Sequence, residues 1–368
     1  MSRAIINESV MHKTRAANAT VTPAVRRLTF VAPRHREGVD WPWISRVGPM
    51  RRFRFKPVYI ENTCERLPKA TRAYVQWQYL RAMREISKAD LAFLFSTDIG
   101  IGMTAWPSRL WRQPTRVYVG FTQDGDWPMH KVDRLGFALR QVQAVTVFSG
   151  EERRLYINRY GLERSRVHVV PIHTDETQGY SQYSDVSPVA GPYVLSMGSP
   201  NRRFMPVARA CRALKIPLII ITRPTHANDS LHDLADMGAT IITNAGKQQA
   251  LTYLKHARLG AMVFQTPALP GAFTTLIHAM YLRTPCVASA CLGISDYVVD
   301  GSTGFVVPHG DEDSLAAAIG RLWNDAALAE RFADAGLDRA QRNFSLEAAA
   351  QRFHDLTEQL LRQDASAN

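Results

Sequence analysis

The chain has 368 residues, 46% of them hydrophobic and 21% charged, with 45 Lys+Arg against 33 Asp+Glu for a formal net charge of +12. That length exceeds what one core usually supports, so two domains are expected. The N-terminal stretch MSRAIINESVMHKTRAANATV has no apolar run of signal-peptide length, and no segment approaches the roughly 18 apolar residues of a membrane span, so a cytoplasmic location is expected. Cys64, Cys211, Cys286 and Cys291 show neither metal-ligand spacing nor a disulfide framework, and no metal site or cofactor is expected.

Charge is uneven along the chain. Residues 1–100 hold 18 Lys+Arg and 8 Asp+Glu, a balance of +10 that leaves +2 for the rest. The clusters Arg26-Arg27, Arg34/Arg36 and Arg51-Arg52-Phe53-Arg54-Phe55-Lys56, with Trp41 and Trp43 nearby, suit an anionic membrane surface or an acidic acceptor. A solvated basic face accounts for them equally well. No DNA- or RNA-binding motif accompanies them, and nucleic acid is not an expected partner.

Short strands are expected at Arg27–Val31 and Pro57–Ile60, with a helix over Thr71–Ile86. Apolar strands then alternate with helices: Asp90–Phe95, helix Ile99–Leu110, Arg116–Phe121, helix Met129–Gln141, Ala144–Phe148, helix Glu151–Tyr160, and Val167–Pro171. Such runs indicate a parallel sheet covered on both faces. The polar, aperiodic segment Asp175–Gly191 reads as a linker.

A second alternating series follows. It comprises Pro192–Met197, helix Met205–Leu214, Pro217–Thr222, Leu231–Met237, Thr240–Ile242, helix Lys247–Lys255, Ala261–Phe264, a helix from Ala272, and Cys286–Ser289. Amphipathic helices at Asp313–Trp323, Ala326–Asn343 and Leu346–Arg362 end the chain. The fold class is therefore α/β, with two doubly wound domains facing across a cleft: residues 1–180, residues 181–345, and a C-terminal helix over 346–368 expected to pack back on the first domain.

Pro270–Asp311 carries the clearest chemistry. Gly271 permits close approach of backbone to ligand, and Ala272, Phe273, Thr274 and Thr275 open a helix whose free N–H groups attract a phosphate. Asp300-Gly301 and the loop at Gly293-Ile294 follow, and Asp296 reads as structural rather than catalytic.

From about Gly191 to Phe344 the chain resembles the nucleotide-sugar-binding domain of retaining GT-B glycosyltransferases of family 4. YVLSMGSPNRR is similar to that family's first strand and glycine loop, LRTPCVAS to its Gly-Thr-Pro strand entry, and GISDYVVDGSTGFVVPHGD to its Gly-Ile-Pro-Glu and Asp-Gly-x-Thr-Gly run. NFSLEAAAQRF is similar to its Phe-Ser-Trp-Glu helix start. In the first half RVYVGFTQD, VTVFSGEERRLYINRYGL and RVHVVPIHTDE look like family elements.

The resemblance implies a donor site at Gly198, Arg202, Arg203, Arg223, Asn244, Gly271, Phe273, Thr274, Thr275 and His278. Arg202 is favoured over Arg203 as the diphosphate contact, because an Arg fork suits a phosphate and one of the pair is expected to be a surface charge. The family's paired glutamates are Pro270 and His278 here, and its early arginine is Ser199. His278 either replaces part of a carboxylate's contact with a ribose or is a core histidine with a backbone partner. Asp124 and Asp126, beside Gln123 after the strand RVYVGF, are the candidates for orienting or deprotonating the acceptor hydroxyl, with His130 nearby. Asp124-Gly125-Asp126 also mimics an Asp-x-Asp metal motif, but with the nucleotide half elsewhere it reads as a turn. His173, Asp175 and the helix start Ser149-Gly150-Glu151 stand at further family positions.

The implied activity is metal-independent transfer, with retention, from a nucleoside-diphosphate sugar to a glycan or lipid-linked acceptor in polysaccharide or glycolipid synthesis, at the inner face of the membrane. The competing expectations are a GT-B-shaped pseudoenzyme that binds without turnover and a sugar-nucleotide epimerase, for which no added acid/base residues are evident.

Overall fold

The computed structural model describes residues 25–34, 48–61, 69–95, 114–120, 129–174, 180, 183–198, 201–224, 229–268 and 273–367. The first sheet is six-stranded and parallel: β1 (Arg27–Arg34), β2 (Arg54–Glu61), β3 (Leu91–Phe95), β4 (Thr115–Val119), β5 (Ala144–Val147) and β6 (Val167–Val169), in the order β2-β1-β3-β4-β5-β6. Helices α1 (Lys69–Ile86), α2 (Met129–Arg140) and α3 (Gly150–Tyr160) accompany it. Its inner strands are apolar at successive positions because both faces are covered. In β3, Ala92 and Leu94 pack with Ala82, Met83 and Ile86 of α1, whereas Leu91, Phe93 and Phe95 face the opposite layer. The expected helix Ile99–Leu110 falls outside the described residues.

The second sheet contains β7 (Val194–Met197), β9 (Leu218–Thr222), β10 (Thr240–Thr243), β11 (Leu259–Phe264), β12 (Cys286–Ser289) and β13 (Phe305–Val307), in the order β10-β9-β7-β11-β12-β13. A two-residue strand, β8 (Arg202–Arg203), pairs antiparallel with the end of β11. The helices are α4 (Met205–Leu214), α5 (Leu231–Asp236), α6 (Lys247–His256), α7 (Thr274–Tyr281), α8 (Ile294–Tyr297), α9 (Glu312–Asn324) and α10 (Ala326–Asn343). Alternation is clean in β9, where Ile219 and Ile221 join the core with α6 and α7 while Leu218 and Ile220 join the core with α4 and α9. Strand β13, absent from the expected series, pairs with β12 through Val287↔Phe305 and Ser289↔Val307. Three residues are too few for a periodic signal.

The last helix, α11 (Leu346–Ala367), returns to the first sheet. Its stripe Ala350, Phe353, Leu356, Leu360 and Leu361 packs with Leu28, Phe30 and Phe93, and the Phe353 and Phe93 rings meet edge-on at 5.6 Å. This contact takes the aromatics Phe53 and Phe55 out of the basic cluster Arg51–Lys56 and into the core. Phe53 is buried at 7% exposure, Phe55 packs against the same core, Arg52 pairs with Glu358 of α11, and Lys56 pairs with Glu85. Arg36, Trp41 and Trp43 lie outside the described residues.

Candidate functional site

In an open parallel sheet, ligands bind where the strand order reverses, outside the carboxyl ends of the strands. In the second sheet that point lies between β7 and β11. Strand β7 runs into Gly198 at φ +115°, a backbone conformation that glycine adopts without a Cβ clash, and its N–H is held by Ile221 O at 3.1 Å. A Cβ on Gly198 would stand 3.3 Å from Arg202 Nε, 3.6 Å from Arg202 Nη2 and 3.6 Å from Thr275 Oγ1. Three separate segments therefore converge on one point: the loop after β7, strand β8 and the first turn of α7.

Helix α7 starts at Phe273 without a side-chain cap, so its first-turn N–H groups have no intrahelical acceptor, and they carry the positive end of the helix dipole. Beside them Arg202 is 1% exposed, lies 4.5 Å above the Phe264 ring and donates from Nε to Met197 O at 3.4 Å. Burial pushes its guanidinium pKa down to about 10, which leaves it charged at neutral pH. A buried cation next to a helix N-terminus repels it, and an anion between the two relieves that repulsion. Thr274 is exposed and Thr275 half-buried, which leaves the helix start accessible, whereas the Phe273 side chain is 0% exposed and can offer a ligand only its backbone.

The neighbouring cation has a different task. Arg203 donates to Asp229 Oδ1 at 3.0 Å, and Asp229 Oδ2 accepts from the N–H groups of Phe204 at 2.5 Å and Met205 at 3.2 Å, at the start of α4. Arg203 is thus committed to a carboxylate that anchors this turn. Arg223 and Asn244 are exposed just beyond β9 and β10, and Asn244 takes φ +59°. Gly198, Arg223 and Asn244 accordingly line successive strands along the same carboxyl edge.

His278 lies one turn into α7, half-buried, with Nδ1 at 2.8 Å from the hydroxyl of Tyr180. Tyr180 also stacks on Tyr281 at 4.8 Å. One partner of His278 is therefore a linker side chain. Gly271, Pro270, Gln123, Asp124, Asp126, Ser199 and Asp175 lie outside the described residues, and so does the His130 side chain. His173 follows β6, half-buried. Among the described residues no group of three or more His, Cys, Asp or Glu could hold a metal ion.

A second cluster, joining the two sheets, was only partly visible in the sequence. Ser149 caps α3, its Oγ accepting from Glu152 N at 3.0 Å. Across the seam Gly293, at φ +82°, donates to Glu151 Oε2 at 2.5 Å, while Gly150 donates to Asp296 Oδ2 at 2.7 Å. Each unit thus places a carboxylate on the other's helix start. A Cβ at Gly293 would meet Ser149 Oγ at 2.6 Å and Ser149 Cβ at 2.8 Å, so the close approach itself requires glycine.

Tyr297 completes the joint. Its hydroxyl donates to Phe148 O and accepts from Ile172 N, both at 2.9 Å, and its ring stacks on Phe273 at 4.1 Å and on Phe344 at 5.0 Å. Arg339 donates to the carbonyls of Tyr297 and Asp296 at 2.8 and 2.6 Å. Glu152 is 4% exposed, and burial pushes its carboxyl up to about 7 against the hydrogen bonds from Phe148 N and Ser149, with the Asp296 charge adding to the rise. Local motifs flag Ser149 and Gly293, but nothing in one sequence links Gly150 to Asp296, 146 positions away.

This pair of facing sheets, one with strand order matching a dinucleotide-binding fold, defines a protein of the GT-B class. The architecture is similar to that of HepE from Anabaena in complex with UDP, with a TM-score of 0.70, 14% identity, and coverage of 90% of this chain and 100% of that one. It is likewise similar to a sucrose-phosphate synthase from Thermosynechococcus elongatus, with a TM-score of 0.69, 15% identity, and coverage of 92% and 100%. Residues 197–325 match the family model for glycosyl transferases group 1. A 69-residue segment is 38% identical to the capsular polysaccharide biosynthesis glycosyltransferase CapM of Staphylococcus aureus, covering 19% of this chain and 18% of CapM. Another, of 107 residues, is 29% identical to the alpha-D-kanosaminyltransferase of Streptomyces kanamyceticus, covering 27% of this chain and 28% of that protein. The chain thus aligns with less than a third of the length of these two curated relatives.

Proposed function

We propose that the protein is a glycosyltransferase that moves a sugar, with retention and without a metal, from a nucleoside-diphosphate sugar to a glycan or lipid-linked acceptor in polysaccharide or glycolipid synthesis. The observation that carries this reading is the convergence of Gly198, buried Arg202 and the uncapped start of α7 at the reversal point of the second sheet. As the bond from the anomeric carbon to the diphosphate oxygen breaks, the leaving group gains negative charge. In this reading Arg202 and the N–H groups of Thr274 and Thr275 hold that charge, while Arg223 and Asn244 extend the site along the edge. The acceptor oxygen forms the new bond on the same face, and Asp124 or Asp126 is assigned to orient its hydroxyl or take its proton. The family model over residues 197–325 supports the donor half of this reading, and HepE, solved with UDP and with UDP-glucose, makes uridine donors the first to try. No helix among the described residues is long and apolar enough to cross a membrane, so an acceptor at the membrane would be met at its surface.

The test is a thermal-shift screen with UDP, GDP and ADP, followed by diphosphate release from the matching sugar nucleotides. A fitting diphosphate at 100-fold over its dissociation constant stabilises by about 2.7 kcal/mol. Thr275→Val keeps the backbone N–H and a β-branched residue at the helix start but removes Oγ1, which faces the Gly198 loop, and should slow release by roughly tenfold, the worth of one hydrogen bond from that hydroxyl to a charged group. Arg202→Lys should cost more, because an ammonium does not reproduce a fork that is also stacked on a ring. Binding without release over the whole donor panel would refute transfer, and absence of diphosphate binding would refute the donor site itself.

A further inference from the structure

We propose that the amino-terminal edge of the first sheet is a phosphate-binding pocket, separate from the donor site. Arg27 and Arg54 open β1 and β2 and stand directly opposite one another in the parallel register, followed by Thr29 opposite Lys56. With Lys88, just past the end of α1, they line a cavity of about 490 Å³ whose lining also includes Leu28 and Ala89. Four cations line it against a single carboxylate, Glu85.

Like charges directly opposite on paired strands are destabilising, and a fold does not gain from such a pair unless something neutralises it. The carboxylate does so only for the lysines: Glu85 Oε2 takes Lys56 Nζ at 2.5 Å and Oε1 takes Lys88 Nζ at 2.9 Å. Those hydrogen bonds, Lys56 first, hold the Glu85 carboxyl down at about 2, so the clamp persists throughout the physiological range. The nearby Asp90 is engaged by Arg26 at 3.6 Å and by the backbone N–H of Arg27 at 2.8 Å. Among the described residues, neither the Arg27 nor the Arg54 guanidinium takes part in a hydrogen bond or an ion pair, and both residues are exposed.

A solvated basic edge explains Arg26, which pairs with Asp90, and Lys88, which follows a helix C-terminus. It does not explain two forks side by side over an open pocket. Two guanidiniums with two ammoniums beside them match the oxygens of a phosphate monoester or diester, and a cavity of this size leaves room for what the phosphate carries. The strands of a parallel sheet point their carboxyl ends at the cleft, so this amino edge is remote from Gly198 and Arg202. The phosphate can come from a soluble phosphoester or from an anionic lipid headgroup.

Both sources are tested on the full chain. Inorganic phosphate and pyrophosphate are titrated by thermal shift and calorimetry in phosphate-free buffer with wild type, Arg54→Gln and Arg27→Gln/Arg54→Gln. Saturable stabilisation that weakens roughly tenfold in the single variant, and is lost in the double, is expected. Without phosphate both variants should melt at or above the wild-type temperature, since a repulsive pair has been removed. Phosphatidylglycerol vesicles, with phosphatidylcholine as control, identify the source. Co-sedimentation that the double variant loses assigns a lipid headgroup, and phosphate binding without co-sedimentation assigns a soluble phosphoester. Equal phosphate response in all three proteins places the anion at the donor cleft and overturns the proposal, as does no saturable binding of either probe.

Discussion

Tyr297→Phe isolates the hydrogen bonding of the seam from its packing. The change removes one oxygen, keeps the ring between Phe273 and Phe344, and breaks two hydrogen bonds of 2.9 Å to Phe148 O and Ile172 N. Each bond contributes about 1 kcal/mol net, and an unpaired buried partner costs about 1–3 kcal/mol; because Phe148 and Ile172 are only half-buried and water can reach them, the expected total is about 2–4 kcal/mol. Both partners belong to the first unit while Tyr297 belongs to the second, so the loss falls on the coupling between them. Urea unfolding followed by tryptophan fluorescence should show a lower first midpoint and a transition spread into two steps. Tyr193→Phe serves as the control, since its hydroxyl donates to Tyr253 O at 2.7 Å within the second unit. That variant should cost about 1 kcal/mol and leave the shape of the transition unchanged. A Tyr297→Phe protein within about 0.5 kcal/mol of wild type, with one unsplit transition, would refute the assignment of Tyr297 as the joint.

Gly293→Ala should destabilise by about 3 kcal/mol or more, combining left-handed strain with the clash against Ser149. Adding Ser149→Gly should recover the clash part and leave about 1–2 kcal/mol, so chemical denaturation showing no recovery would place the strain elsewhere. Glu152 titrates near 7 when folded and near 4.5 when unfolded, so the folded state holds the extra proton between those values. Its contribution is fully present below about pH 4.5 and is lost as pH rises toward 7, by an amount on the order of 3 kcal/mol. Glu152→Gln should flatten that stretch of the stability-pH curve, and an unchanged slope counts against the assignment. Arg203→Gln should leave diphosphate affinity within about twofold, because its charge is spent on Asp229, whereas Asp229→Ala should cost about 1–3 kcal/mol in stability by freeing two N–H groups at the start of α4. A large affinity loss in Arg203→Gln, read by calorimetry, would return Arg203 to the donor site.

Where the chain repeats a simple period, its elements are legible. Helix α10 runs from Ala326 to Asn343, as the amphipathic pattern implies, and β9 lies within one residue of its apolar run. Strand β8 is two residues long, and its pairing with the end of β11 depends on Asn201, whose Oδ1 accepts from Gln265 N at 3.1 Å and Thr266 N at 3.2 Å; no periodicity announces such a contact. The glycine loop and the helix start were readable because each has a local chemical signature. The preference for Arg202 over Arg203 came from the resemblance rather than from any period, and its structural basis is the alternation of β8, which puts Arg202 under the loop and Arg203 toward Asp229. The aromatic residues among the early cations were misleading for a related reason. Phe53 is covered by α11, some 300 residues later in the chain, and no pattern around Phe53 signals that cover.

The donor site and the seam share a side chain, which makes them mechanically dependent. Phe273 is the residue on which α7 starts, and its ring lies flat on Tyr297 at 4.1 Å with 23° between planes. The direction of the first-turn N–H groups of α7 is therefore set partly by a residue that is hydrogen-bonded to the other unit. Because binding and joint formation act on the same helix start, a diphosphate that orders α7 should strengthen the seam, and an intact seam should strengthen diphosphate binding by the same factor. Two substitutions separate the contributions. Tyr297→Phe keeps the stack and should keep nucleotide affinity within about threefold, whereas Tyr297→Leu removes the stacked face and should weaken it by roughly tenfold, the size of an aromatic pair plus its packing. Calorimetric titration of both folded variants with the same nucleoside diphosphate decides the point. Equal affinities in the two would mean that α7 holds its orientation without Tyr297, and that the seam joins the two sheets without reaching the site.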